Sequence, residues 1–182
     1  MAVHLERPLE YLAIGPREEI AEDGIRSLHP DLARLPRVEF PAAPGAVTQQ
    51  SLRAELLGHD LEMRLQRQSA LAGRVCDVAW SGGNAVLGLA LTLEASNIQA
   101  VDTLVVAGEF TRTGSMCQGC SRLARLGEVC EVCGASMYQL EDVVASLMET
   151  VIASGGSVHQ VTVPSPLDIE GIGALTRFPV PA

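Results

Sequence analysis

The chain contains no lysine: its 13 basic residues are all arginine. They face 22 acidic residues, for a formal net charge of −9. Proteins that coat nucleic acid gain affinity by displacing counterions from phosphates, which takes a positive field. The charge balance therefore excludes general DNA or RNA coating and leaves room only for a local arginine patch. Aromatic residues are scarce at 3%, so a core must come from the aliphatic part of the 47% hydrophobic content. Long apolar runs are missing too. The longest, "AVLGLALTL", is far short of the roughly 18 residues that span a bilayer. The opening "MAVHLERPLE" holds two acidic residues and no apolar run, unlike a signal peptide. These features describe a soluble, cytoplasmic protein with no membrane partner.

Recognisable catalytic patterns are also lacking. His4, His29, His59 and His159 are not spaced with one another or with carboxylates for catalysis. No Ser-His-Asp pattern, phosphate loop or paired-carboxylate signature stands out. Gly82-Gly83 before a helical pattern could cradle an anion, but a turn followed by an N-cap accounts for it more simply.

What is present is an α/β rhythm. "YLAIG" reads as a short strand, "REEIAEDGIRSL" as a helix and "RVEF" as a strand, with "PAAPGA" as a linker. From Thr48 to about Leu71 a polar helix carries Leu52, Leu56, Leu61 and Leu65 near one stripe, with Thr48 as N-cap and Gly73 as stop. "RVCDVAW" is ambiguous, and Cys76 within it reads as a core residue. "AVLGLALTLEASN" reads as a helix capped by Asn84, and "VDTLVVAG" as a buried strand. "QLEDVVASLMETVIASGG" is the clearest helix, with Glu141 and Asp142 in its first turn and Gly155 at its end. "SVHQVTV" and "IGALTRF" read as strands. The expected organisation is a partial α/β segment over 1–46, a connecting helix and linker over 47–80, and an α/β sandwich over 81–182 with an insertion at 112–137.

That insertion contains "CQGCSRLARLGEVCEVC", four of the five cysteines as two C-x2-C pairs. In a reducing compartment clustered cysteines favour metal over disulfides. Cys117, Cys120, Cys130 and Cys133 supply four thiolates, the full tetrahedral set for zinc, so the site reads as structural with no open position. Gly119 and Gly134 would ease the two tight turns by taking positive φ. Iron in the same sulfur set is the competing metal. A thiol-redox pair is the weaker alternative, since such a pair normally opens a helix and needs no second pair. Arg112, Arg122 and Arg125 lie in or beside the window and could form a contact patch for a partner or RNA.

In order, "GGNAVLGLALTLEASNIQAVDTLVVAGEF", the cysteine pairs, "QLEDVVASLMETVIASGGSVHQVTV" and "GIGALTRF" resemble the C-terminal domain of the archaeal and eukaryotic class-one peptide release factors and Pelota-like proteins, with their bacterial relatives. The resemblance covers about residues 81–178. A fainter one runs through "YLAIGPREEIAEDGIRSLHPDLARLPRVEF" to the tail of the family's central domain. It implies an α/β/α sandwich with a small zinc-ribbon insertion and a non-catalytic role in release, ribosome rescue or hibernation. It also implies docking on the ribosome or a translational GTPase, with rRNA contact open. The family's N-terminal domain has no room here. The Gly-Gly-Gln loop of peptide release is not found, because Gly82-Gly83-Asn84 stands at the start of the last domain. The alternatives are an RNA-binding module of the kink-turn-binding ribosomal-protein type, or a thiol-redox or hydrolytic enzyme.

Overall fold

The computed structural model describes residues 2–4, 11–13 and 49–180. The chain divides into two compact units, Met1–Leu61 and Glu62–Ala182. In the first unit, β1 (Ala2–His4) pairs antiparallel with β2 (Tyr11–Ala13), setting Val3 against Leu12. The strand expected from "YLAIG" is thus present, and its partner was not foreseen. The expected helix "REEIAEDGIRSL", strand "RVEF", linker "PAAPGA" and cap Thr48 lie outside the described residues.

Helix α1 runs from Gln49 to Trp80, so it continues through Gly73 instead of stopping there. A glycine inside a helix costs only about 1 kcal/mol against alanine, and the burial that follows offsets it. Ala72, Val75 and Cys76 are fully buried and pack with Val105, Val161 and Leu167. "RVCDVAW" is therefore helix, and Cys76 is a core residue. The true stop is Gly82 (φ 73°), where Gly82 N–H bonds Ala79 O and Gly83 N–H bonds Val78 O. This is the paired-bond helix ending that a left-handed residue closes. Gly82-Gly83 thus follows a helix and precedes a strand, which removes the anion-cradle reading.

A four-stranded sheet forms the centre of the second unit, in the order β3 (Ala85–Leu87), β9 (Ile172–Thr176), β4 (Val101–Ala107), β8 (Ser157–Val161). β4 is parallel to β8, and the other pairings are antiparallel. Strand alternation sends side chains to opposite faces, and β4 uses both. Leu104 and Val106 join the core under α2 (Leu89–Asn97) and α3 (Val143–Ala153), while Val105 and Ala107 join the core under the end of α1. The result is an α/β/α sandwich, in agreement with the expected fold class. A 3-10 turn, Pro166–Ile169, adds buried Leu167 to the α1 side.

Two element boundaries differ from the sequence reading. "AVLGLALTLEASN" is not one helix: Ala85–Leu87 is a strand, Gly88 takes the N-cap position and α2 starts at Leu89. Asn84 instead lends its carbonyl to the Thr176 N–H at the sheet edge. "QLED" is likewise not helical. Met137–Leu140 is strand β7, and Asp142 precedes α3 as its N-cap, accepting the Val144 N–H at 2.9 Å. In both cases an apolar residue at helical spacing was claimed by a sheet pairing, which local periodicity does not report.

Candidate metal centre

Between β4 and α3 the chain leaves the sandwich and builds a second, three-stranded antiparallel sheet. Its order is β6 (Leu123–Ala124), β5 (Gly114–Cys117), β7. Its base is tied to the sandwich in two ways. Leu123 is fully buried in the core under α2 and α3, with Met116 and Leu140 packed against the same cluster. Asn97, the last residue of α2, clamps the backbone of Leu123. Its Nδ2 donates to Leu123 O at 2.8 Å and its Oδ1 accepts the Leu123 N–H at 2.9 Å. Sequence reasoning missed Asn97, because it lies 26 residues from its partner and no local pattern marks it.

The far end holds the four cysteines, in two turns of the same construction. Cys117 N–H bonds Arg122 O and Ser121 N–H bonds Cys117 O; Cys130 N–H bonds Ala135 O and Gly134 N–H bonds Cys130 O. The left-handed residue is the one after the second cysteine in each turn, Ser121 (φ 59°) and Gly134 (φ 71°). The expectation that Gly119 takes positive φ is not met. Gly119 serves space instead, since a Cβ there would stand 3.0 Å from Ala135 Cβ and 3.3 Å from Cys133 Sγ.

These two turns bring the four sulfurs together. Cys117 Sγ is 3.3 Å from Cys133 Sγ, and Cys120 Sγ is 3.6 Å from the sulfurs of both Cys130 and Cys133. All four lie within 4.8 Å of one another. Four sulfurs about 2.3 Å from one tetrahedral cation stand about 3.8 Å apart, so the set fits a metal ion. All five cysteines are free thiols, and neither Cys-x2-Cys turn opens a helix, which removes the feature a redox pair would need.

Electrostatics of the bare thiols point the same way. The Cys120 N–H directed at its sulfur, helped by the Cys133 thiol and the Gly119 N–H, holds the Cys117 thiol down at about 6 against the opposing effect of burial. Cys130 is lowered by the N–H groups of Cys133 and Val132. The second cysteine of each pair goes the other way. Cys133 receives the Ala135 N–H, yet the sulfurs of Cys117 and Cys120 outweigh it and push it up to about 12. Cys120, despite the Arg122 N–H, is raised by its neighbours. The first cysteine of each turn is favoured as the thiolate, and the second is held protonated by hydrogen bonding to neighbouring sulfurs. A divalent cation would take the place of those protons, and binding it would release them.

The three arginines have different surroundings. Arg122 sits in the first cysteine turn, half-buried, and contributes through its backbone. Arg112 and Arg125 instead line one groove at the foot of the ribbon. Among the described residues none of the three forms an ion pair. Three apolar side chains of the ribbon are exposed, Leu126, Val129 and Val132, at 80%, 61% and 69%.

In overall structure the chain is similar to the C-terminal domain of a peptide chain release factor from Methanosarcina mazei. The TM-score is 0.47 at 19% identity, over 75% of this chain and 99% of that domain. It is also similar to Pelota from Archaeoglobus fulgidus, with TM-score 0.48 and 23% identity, over 88% of this chain and 45% of Pelota. A third similar structure is ribosome-bound archaeal Pelota with ABCE1, at TM-score 0.47 and 22% identity, over 75% of this chain and 34% of that one. This chain therefore spans less than half the length of either Pelota. No family model matches the chain, and no curated protein matches it.

Proposed function

We propose that this chain is a non-catalytic, translation-associated protein of the release, rescue or hibernation kind. It would hold one structural zinc ion through Cys117, Cys120, Cys130 and Cys133 and work in the cytoplasm. Its partner is the ribosome, a translational GTPase or both, met through the ribbon. The observation that carries this reading is the ribbon itself. It is a four-cysteine cradle inserted between β4 and α3, with Leu126, Val129 and Val132 exposed beside it. Four protein thiolates saturate tetrahedral zinc, so the ion stiffens the ribbon and supplies no chemistry. A short polar loop gathers too little apolar burial to fold alone, and the metal provides that free energy. The order of the motifs in the sequence, resembling release factors and Pelota, supports translation as the setting.

The test is co-sedimentation with ribosomes, with and without elongation factors, for the intact chain and a Cys130→Ser, Cys133→Ser variant. Metal content is measured on freshly purified reduced protein. Stoichiometric zinc and ribosome association lost in the variant are expected. Protein purified without metal, or protein that never tracks with ribosomes or factors, overturns the reading. No helix among the described residues is long and apolar enough to cross a membrane.

A further inference from the structure

A groove of about 510 Å³ opens where the ribbon meets the sandwich. Leu89 and Leu91, in the first turn of α2, supply aliphatic surface, and Leu126 of the ribbon adds more. Arg112 and Arg125 line the same space. In a chain of net charge −9, two arginines without ion pairs in one groove are a local reversal of sign.

Arg112 is held in place before any ligand arrives. Its guanidinium stacks 4.3 Å above the Phe110 ring, and its Nη1 donates to Thr111 O at 2.8 Å. Phe110 in turn lies flat against Gly171, where any Cβ would collide with the ring. A stacked guanidinium has already lost the freedom that binding would otherwise cost, and its planar fork matches a carboxylate. The first turn of α2 has no side-chain cap, but it is not an open anion site. The Glu170 carboxylate occupies its approach, 2.9 Å from where a Cβ on Gly88 would stand. The groove therefore combines two arginines without ion pairs, aliphatic surface and one carboxylate. A continuous phosphate backbone would meet Glu170, whereas a peptide can offer an acid to the arginines and apolar groups to the leucines.

We propose that this groove docks an acidic, leucine-bearing peptide segment of a protein partner, with a carboxylate on Arg112 and Arg125 and an aliphatic side chain against Leu89, Leu91 and Leu126. The inference deepens the docking reading above and rests on it in taking the ribbon side as the face a partner meets.

The experiment is fluorescence anisotropy on the full zinc-loaded chain. Its probes are a fluorescein-labelled dodecapeptide of alternating glutamate and leucine pairs, the same peptide with glutamine for glutamate, and a labelled oligouridine. The acidic peptide should bind, and more weakly as salt rises. Arg112→Gln with Arg125→Gln should weaken it about tenfold, the scale of losing charged hydrogen bonds. Arg74→Gln, on the exposed side of α1, should leave it unchanged. Glu170→Gln should tighten it severalfold, a gain that misfolding cannot produce; zinc content checks the ribbon of each variant and denaturant unfolding its sandwich. Equal binding of the glutamine peptide, or no tightening by Glu170→Gln, overturns the proposal. So does an oligouridine that binds better and is lost in the arginine variant. Ribosome association without peptide binding overturns the groove and keeps the proposed function. Peptide binding without ribosome or factor association does the reverse.

Discussion

The ribbon and the sandwich of this chain are held together by different physics. The sandwich buries aliphatic residues on both faces of one sheet, Leu93, Leu104, Leu147 and Ile172 on one side, Val75, Val105 and Leu167 on the other. The ribbon sends Leu123 down into that core and leaves Leu126, Val129 and Val132 in solvent. Its own interior is four sulfurs. One region is stabilised by removing apolar surface from water, which is spread over many residues. The other, with the proposed metal in its four-sulfur cradle, would depend on a ligand set in which every member is needed. The difference teaches where each region is vulnerable: the sandwich should lose stability by degrees, and the ribbon all at once.

The largest expected effect follows from removing two ligands. Cys130→Ser with Cys133→Ser should abolish metal retention and open the ribbon amides to hydrogen exchange, while β4, β9 and α3 stay protected. Structural zinc contributes on the order of 10 kcal/mol to small folds of this kind. Loss of protection throughout the sandwich would break the distinction between the two regions. The converse change is Leu147→Ala, at a fully buried position under the sheet. It should cost about 3 kcal/mol by denaturant unfolding and leave zinc content unchanged.

A third substitution addresses the joint. Asn97→Ala strands the buried N–H and C=O of Leu123, which should cost about 1–3 kcal/mol and raise exchange at Leu123 and Ala124 before elsewhere. Equal exchange in the variant and parent would show that Leu123 packing alone seats the ribbon. The smallest effect is kinetic. Cys76 is 1% exposed, and burial, with the charges of Asp77 and Glu170, raises its pKa above the ordinary thiol value. Since the thiolate is the reactive form, a raised pKa means less of it at neutral pH. Labelling of the metal-loaded chain should therefore find no fast thiol. A chelator should open the ribbon and make its four thiols accessible to the label, and denaturation a fifth.

Much of this was legible in the sequence wherever the cause is local. Two Cys-x2-Cys pairs at close spacing announce a four-sulfur site because each turn curls its own sulfurs together, whatever surrounds it. The buried run "VDTLVVAG" and the apolar steps of α3 announce a central strand and a packed helix in the same way. Where the structure departed from the reading, a distant partner decided. Ala85–Leu87 and Met137–Leu140 carry apolar residues that fit a helix, but β9 and β5 offered them backbone pairing. Gly73 would end an isolated helix, yet the surface under Ala72, Val75 and Cys76 carries α1 on to Gly82. The left-handed position of each cysteine turn is the residue after its second cysteine, so in the first turn it fell to Ser121, while Gly119 serves by lacking a side chain beside Cys133.

By itself, then, the sequence determined the four-cysteine cluster, the α/β class and the acidic, aromatic-poor character of the chain. These depend on spacing, periodicity and composition, which are properties of neighbours along the chain. Only the tertiary structure decided that Asn97 seats the ribbon, that Arg112 and Arg125 share a groove which Arg122 does not enter, and that the end of α1 is part of the core. Each of those joins residues far apart in sequence, and closing such loops is favourable only when the whole fold supplies the burial and hydrogen bonds that offset the lost chain entropy.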